Sequence, residues 1–122
     1  MKGVRIVDLT SVLSGPFCTW LLSTLGAEVI KVESPKGDLA RGTPPFEDGV
    51  SLYFASLNRN KRSVVLDLKS EKGRRALHQL LETADVLVEN MRPGVRDRLG
   101  CSDENLKQIN PNLICASISG FG

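Results

Sequence analysis

Hydrophobic residues near the N-terminus follow a strand pattern first and a helical pattern afterwards. Residues 4–9 (VRIVDL) set apolar positions among β-branched neighbours, which predicts a strand. Residues 17–25 (FCTWLLSTL) repeat apolar positions at helical spacing. We expect Ser14 as the N-cap of this helix, Pro16 as an early helical residue and Gly26 as its end.

A second predicted strand, residues 27–33 (AEVIKVE), follows that helix at once. A strand, a helix and a strand joined by short turns form a βαβ unit, whose crossover pairs the two strands in parallel. Residues 34–49 (SPKGDLARGTPPFEDG) then change to proline, glycine and charge. Such a segment buries little apolar surface, so it predicts a long surface loop of the kind that often carries function.

The rest of the chain continues the alternation of helices and strands. Apolar residues at helical spacing, with Ser70 as the N-cap, predict a helix to about Thr83. The other predicted elements are helical turns at 51–57 and 95–99, strands at 63–68, 86–89 and 113–119, and a short helix capped by Ser102 that ends at Asn110-Pro111. This order predicts an α/β fold, a single Rossmann-like domain over residues 1–122 with a mostly parallel sheet and flanking helices.

Composition narrows the class of protein. Of the 122 residues, 41% are hydrophobic and 25% are charged, as in an ordinary globular domain, which excludes a disordered or disulfide-stapled chain. The net charge of +2 is too small to make nucleic acid or an anionic membrane the main partner. The three cysteines are widely spaced, so we expect no disulfide framework, no metal and a reducing, cytoplasmic setting. No apolar run reaches the roughly 18 residues that a bilayer span needs.

Positive charge is concentrated in the middle of the chain, where residues 59–98 carry ten basic and six acidic groups. Arginine and lysine near the ends of strands suit phosphate groups, so this region could bind a small polyanion. Solvated helix faces rich in lysine and arginine would produce the same count. The candidate cations for a phosphate-binding rim are Arg41, Arg59, Lys61, Arg62, Arg92, Arg96 and Arg98.

In a parallel sheet, ligands bind beyond the carboxyl ends of the strands. Four segments should therefore converge, namely residues 10–15, 33–41, 90–98 and 119–122. The first of them contains Gly15 alone instead of a G-x-G-x-x-G fingerprint, which disfavours a nicotinamide or flavin role.

No residue of the chain stands out as a catalytic nucleophile with a base beside it. The only histidine, His78, is predicted in the middle of a helix, far from any strand end, so a catalytic dyad built on it is not expected. Cys18 lies near a predicted helix N-terminus with no histidine close in sequence, and we interpret it as a packed thiol.

Six segments of the chain form a combination of motifs that is more specific than any one of them: VDLTSVLSGPFC (7–18), LGAEVIKVE (25–33), GDLAR (37–41), LNRNKRSVVLDLK (57–69), ADVLVENMRPGV (84–95) and SISGFG (117–122). Together they resemble the class III CoA-transferases, the family of formyl-CoA transferase and carnitine CoA-transferase with the α-methylacyl-CoA racemases as a branch. The resemblance runs in order from residue 3 to residue 122 and is to the N-terminal portion of the family.

The resemblance implies a Rossmann-like domain that binds coenzyme A as part of an acyl-CoA substrate, in a homodimer or larger oligomer whose two chains interlock. The residue that follows Glu33 is often an arginine in relatives and is Ser34 here, so its contact with CoA could pass to Lys36 or Arg41. By position in the matching motifs, the expected CoA-contacting residues are Val12, Leu13, Arg41, Leu66, Asn90, Met91 and Arg98.

The resemblance also implies a catalytic aspartate well beyond the Gly-Phe-Gly motif. In the family it forms a mixed anhydride with the acyl group and then an aspartyl-CoA thioester, from which CoA passes to an acceptor acid. No aspartate of this chain matches that position, so we expect CoA binding without acyl transfer by this chain alone, and a missing C-terminal segment as a further partner.

Three interpretations of the function stay open on the sequence. The chain is part of a CoA-transferase, a non-catalytic CoA or nucleotide-binding module, or a piece similar to the racemases. The length of segment 34–57 and the VENMRPG turn favour the transferases, since the racemases shorten the former. The racemases also use a histidine and aspartate pair that the chain lacks.

Overall fold

Five strands of the computed structural model form one parallel sheet, and the structure describes residues 1–120. In chain order the elements are β1 (Arg5–Asp8), α1 (Ser14–Thr24), β2 (Glu28–Glu33), a 3-10 helix (Leu39–Gly42), β3 (Phe46–Glu47), β4 (Val50–Ser51), α2 (Leu52–Asn58), β5 (Arg62–Val65), α3 (Glu71–Glu82), β6 (Val86–Glu89), α4 (Val95–Arg98), α5 (Asp103–Ile109) and β7 (Ile114–Ser117). The predicted α/β class, with a parallel sheet and flanking helices, is confirmed.

The strand order is β5-β2-β1-β6-β7, and all four pairings are parallel. The chain builds outward from β1 to β5 and then returns to the other side of β1 with β6. This reversal opens a crevice at the carboxyl ends of β1 and β6, the usual binding position in doubly wound sheets. The short β3 lies inside the predicted loop 34–49 and pairs with β4, directly after that loop, as a separate antiparallel hairpin.

Apolar residues cover both faces of the sheet in two clusters. Neighbouring residues of β1 divide between them, because successive side chains of a strand point to opposite faces: Ile6 joins one cluster and Val7 the other. Helix α3 seals the larger cluster with Leu77 and Leu81, both fully buried. Its predicted N-cap is confirmed, since the Ser70 hydroxyl accepts a 3.0 Å hydrogen bond from the amide of Gly73.

The predicted N-cap of α1 is wrong. Helix α1 begins at Ser14 itself, and Leu13 occupies the capping position because its carbonyl accepts the first helical hydrogen bond, from the amide of Phe17 at 2.8 Å. The leucine side chain has no polar atom, so it makes no capping hydrogen bond. Its apolar positions also face outward: the exposed fractions are 48% for Phe17, 46% for Leu21 and 57% for Leu25.

Small and polar residues of α1 are buried against the sheet, and Leu22 packs beside them on the cluster that contains Ile6. Thr19 is fully buried and donates a 2.6 Å hydrogen bond to Asp8, at the end of β1. Gly15 lies so close to Thr10 that an added Cβ would overlap the threonine side chain. Helix α1 therefore approaches the sheet closely at its N-terminal end, where the crevice opens.

The carboxyl end of β2 is tied to the following loop by Glu33. Its carboxylate accepts two hydrogen bonds of 2.7 Å from Arg41, one of 2.7 Å from Ser63 and one of 3.0 Å from the amide of Asp38. The Arg41 hydrogen bonds outweigh burial and lower the pKa of Glu33 to about 2. Arg41 also stacks over Phe54 at 3.9 Å, so this single carboxylate anchors the loop against β5 and α2.

Replacing Gly15 with alanine tests the close approach of α1 to the sheet. Gly15→Ala is expected to lower the free energy of unfolding by about 1–3 kcal/mol, because the new methyl group forces Thr10 or the helix to shift. Urea unfolding measures the change. Gly42→Ala is the matched control, since a Cβ there meets nothing within 4 Å, and a loss as large as that of Gly15→Ala would contradict the close approach.

The Glu33 carboxylate predicts a dependence of stability on pH. Because its pKa falls from 4.5 to about 2 on folding, its contribution is present above pH 4.5 and disappears as the pH falls towards 2. Glu33→Gln is expected to cost roughly 1–2 kcal/mol at pH 7, a figure reduced for the solvent around the half-exposed Arg41.

Urea unfolding of wild type and Glu33→Gln at several pH values between 7 and about 2 measures this dependence. The difference between the two proteins should shrink below pH 4.5. A constant difference over that range would contradict the role given to the carboxylate, and Glu104→Gln, on the exposed surface of α5, is the control.

Candidate functional site

A cleft of about 590 Å³ lies at the carboxyl ends of the strands. Its walls are the segments that follow β1, β2 and β5, closed by Met91 after β6 and Leu99 after α4. The lining is mixed, with apolar Leu66 and Leu68 on one side and polar groups of the loop after β2 on the other. A second cleft of about 530 Å³, at the ends of β6 and β7, shares Met91 with the first.

Two of the predicted CoA-contacting residues, Leu66 and Met91, line the first cleft. Arg41 is engaged with Glu33 beside it, and Asn90 lies at the crevice between β1 and β6. The other three, Val12, Leu13 and Arg98, are exposed and border neither cleft directly. Their contact with CoA stays a prediction.

Asn90 joins the two central loops. Its side-chain oxygen accepts a hydrogen bond from the amide of Ser11 and its side-chain nitrogen donates to the carbonyl of Ser11, both at 2.9 Å. Val12, which follows Ser11, has a φ of +69°, a left-handed conformation that is rare for a β-branched residue. The loop after β1 is thus fixed by β6, the strand on the other side of the crevice.

Two buried ion pairs lie beneath this loop. Lys31 contacts Asp38 at 2.8 Å and Lys61 contacts Asp8 at 3.0 Å, with all four side chains almost inaccessible to solvent. Burial lowers the pKa of Lys61, and the attraction of Asp8 opposes that shift. Lys61 also donates to the carbonyl of Pro16 at 2.9 Å, so its ammonium is fully engaged within the protein.

The predicted cationic rim is therefore wrong for Lys61 and for Arg62. Lys61 neutralises a buried carboxylate. Arg62 lies at the amino end of β5 and pairs with Glu28 at 2.9 Å, so it is at the end of the sheet away from the two clefts. Arg59 stacks over Trp20 at 5.3 Å on α1. Of the remaining rim candidates, Arg92 and Arg96 line the second cleft, and Arg96 pairs with Asp103 at 2.5 Å.

Lys36 and Lys69 are the exposed cations that line the first cleft. Within the described part of the chain, neither forms an ion pair, so both ammonium groups are available to a negatively charged ligand. Sequence reasoning named Lys36 but missed Lys69, because segment 66–69 was left out of the converging loops. The rule that ligands bind beyond the carboxyl ends of parallel strands, applied to β5, would have found Lys69.

Thiols and the histidine do not build a nucleophile here. Burial raises the pKa of Cys101 to about 11 and also raises that of Cys115, so both are protonated at neutral pH. His78 lies on α3 beside Gly100 and lines neither cleft, as expected. Over residues 1–120 the structure brings together no group of three or more potential metal ligands.

Two further expectations, for segment 119–122 and for a membrane span, can be compared with residues 1–120. Ser119, from the predicted segment 119–122, lines the second cleft, whereas Phe121 and Gly122 lie outside residues 1–120. None of the helices over residues 1–120 is both long and apolar enough to cross a membrane.

The chain is similar over its whole length to enzymes of known name. This chain is 55% identical over 124 residues to the formyl-CoA:oxalate CoA-transferase of Afipia carboxidovorans and 49% identical over 127 residues to the succinyl-CoA:mesaconate CoA-transferase of Haloarcula hispanica. Both matches cover 100% of the chain but only 29% and 32% of those proteins. The chain thus spans about a third of the length of the curated relatives it matches.

Solved structures give the same result. The fold matches a CAIB/BAIF family protein from Brucella suis with a TM-score of 0.93 at 44% identity, over 99% of the chain and 33% of that protein. It matches Rv3272 from M. tuberculosis with a TM-score of 0.93 at 40% identity, over 100% of the chain and 35% of that protein. The family profile described as CoA-transferase family III matches residues 1–122. The chain belongs to CoA-transferase family III.

Proposed function

We propose that this chain binds coenzyme A, as part of an acyl-CoA substrate, in the cleft at the carboxyl ends of β1, β2 and β5. The observation that carries the proposal is the position of this cleft in a Rossmann-like sheet of a family III chain, with free ammonium groups beside apolar side chains. CoA combines an adenine with phosphate groups, and the two kinds of lining suit these two parts.

Each half of the cleft has its own task in this proposal. Leu66, Leu68 and Met91 cover the adenine with apolar surface, and Lys36 and Lys69 neutralise the phosphates as point charges. Val12, Leu13, Asn90 and Arg98 are proposed to contact the rest of the molecule. Arg41 acts mainly through Glu33, because its guanidinium already makes two hydrogen bonds to that carboxylate.

Transfer of CoA between two carboxylic acids is the reaction that we propose for the complete enzyme. The relatives are named as a formyl-CoA:oxalate and a succinyl-CoA:mesaconate CoA-transferase, so each exchanges CoA between acids. We assign no catalytic residue in this chain, and the buried carboxylates support that choice. The carboxylates of Asp8 and Asp38 are buried and paired with lysines, so neither is free to act as a nucleophile.

Binding of CoA by this chain is the direct test. Isothermal titration calorimetry is expected to detect CoA, and Lys36→Ala/Lys69→Ala is expected to weaken the affinity by about tenfold because two charge-assisted phosphate contacts are lost. The salt dependence of the affinity should also become shallower. Lys72→Ala/Lys107→Ala, on exposed positions of α3 and α5, is the matched control and should bind as wild type does.

Two results would count against the proposal. One is a wild-type chain that shows its full circular dichroism spectrum and yet gives no binding heat with CoA. The other is an equal loss of affinity in both double variants, because this would make the attraction a matter of net charge and not of the cleft.

An oligomer located in the cytoplasm is the remaining part of the proposal. The oligomer is supported by the outward apolar face of α1, formed by Phe17, Leu21 and Leu25, since exposed apolar patches commonly mark protein contacts. Within the family, the resemblance implies a homodimer as the first candidate.

Light scattering after size exclusion tests the apolar face of α1. The wild-type chain is expected to self-associate and Leu21→Glu to shift it towards the monomer, because a charge cannot be buried in an apolar contact without cost. Leu39→Glu, at an exposed leucine of the 3-10 helix, is the control. A wild-type chain that stays monomeric would refute this assignment of the face.

A further inference from the structure

Side chains from four different segments bind the main chain of the first loop, residues 10–12. They take up five backbone polar groups in a row, which is unusual because such loops are normally satisfied by backbone or water. The contacts are Thr10 N to Asp8 at 2.8 Å, Thr10 O to Lys31 at 2.8 Å, Ser11 N and Ser11 O to Asn90 at 2.9 Å each, and Val12 N to Asp38 at 3.1 Å.

The loop needs these contacts because it contains a residue in an unfavourable conformation. Val12 has a φ of +69°, where a β-branched side chain crowds its own backbone. Such a conformation persists only when the surrounding structure makes more contacts than are needed to fix it. Asn90 holds the preceding residue, Ser11, and Asp38 holds the amide of Val12 itself.

The ion pair of Lys31 and Asp38 connects this loop to the next one. One carboxylate oxygen of Asp38 accepts from the amides of Val12 and Ala40, at 3.1 Å and 2.9 Å, while the other contacts Lys31 at 2.8 Å. Lys31 in turn donates to the carbonyl of Thr10. The loops after β1 and β2, which form facing walls of the cleft, are therefore fixed to each other by one buried pair.

Both members of the pair border the first cleft, but the exposed fractions of the Lys31 and Asp38 side chains are only 1% and 2%. A ligand in the cleft would therefore contact mainly the residues that this pair holds. A buried ion pair is also an expensive way to gain stability, since desolvation offsets most of the attraction. Its value here lies in the one arrangement that it specifies for the cleft walls.

We propose that Lys31 and Asp38 are positioning residues for CoA, which hold residues 10–12 in the left-handed turn that completes the cleft wall. In this chain, side chains thus do what the glycines of a dinucleotide-binding loop do with backbone freedom alone. The inference rests on the proposed function, because it concerns the same cleft and ligand.

Asp38→Ala, alone and combined with Val12→Gly, tests this role. The single variant is expected to speed hydrogen exchange of the Val12 amide by roughly a hundredfold relative to core amides and to weaken CoA binding by about tenfold. Glycine adopts a positive φ without steric cost. The loss of CoA affinity caused by Asp38→Ala should therefore be at least about threefold smaller when it is made in the Val12→Gly background.

Asn110→Ala is the control for a general loss of stability. The Asn110 side chain donates to the carbonyls of Leu81 and Ala84 at 3.0 Å and 2.8 Å, away from the cleft, so its removal should destabilise the fold and leave the Val12 amide and the CoA affinity unchanged. If Asp38→Ala does not fold, Asp38→Asn replaces it. In asparagine one of the two carboxylate oxygen positions holds a nitrogen that cannot accept, so the contact with Lys31 or the one with Val12 is lost, and smaller changes in the same direction are expected.

The outcomes separate this inference from the proposed function. The positioning role would be overturned by unchanged hydrogen exchange at Val12 or unchanged CoA affinity in a folded Asp38 variant. It would also be overturned if Asn110→Ala had the same effect, or if Asp38→Ala caused equal losses of affinity in both Val12 backgrounds. A wild-type chain that does not bind CoA would instead refute the proposed function. The exchange experiment would then still decide whether Asp38 holds the loop.

Discussion

The carboxylate of Asp8, buried at the end of the central strand, is the group on which the arrangement of the site depends. It accepts hydrogen bonds from the amide and hydroxyl of Thr10 and from the hydroxyl of Thr19, and it pairs with Lys61. These partners belong to the first loop, to α1 and to the segment that precedes β5. An uncompensated charge at this depth would cost about 3–5 kcal/mol, so these three segments must meet the end of β1 in one geometry.

This constraint explains why α1 turns its polar face inward. A buried carboxylate needs donors, and Thr19 supplies one only if that side of the helix faces the sheet. The apolar face then points outward, against the usual arrangement of a helix on a sheet. The close contact between Gly15 and Thr10 follows from the same approach, and it places the start of α1 beside the crevice.

The fold and part of the site were predictable because their signals are local. Short apolar runs and serine caps predict strands and helices from neighbouring residues, and the α/β class and the Ser70 cap are confirmed on that basis. The family resemblance named Leu66 and Met91 as CoA-contacting residues; both line the first cleft, and their contact with CoA stays a prediction. The prediction of a cationic rim was wrong for Lys61 and Arg62, because a positive charge in the sequence does not reveal which carboxylate it meets.

By itself, the sequence determined the alternation of strands and helices, the end of the sheet at which the cleft lies and the family to which the chain belongs. Only the tertiary structure decided which charges remain free for a ligand. Lys61 and Lys31 are neutralised by Asp8 and Asp38, the first across more than fifty positions of the chain, whereas Lys36 and Lys69 stay exposed. The physical reason is that burial forces charges to pair, and the partner is chosen by the folded chain in three dimensions.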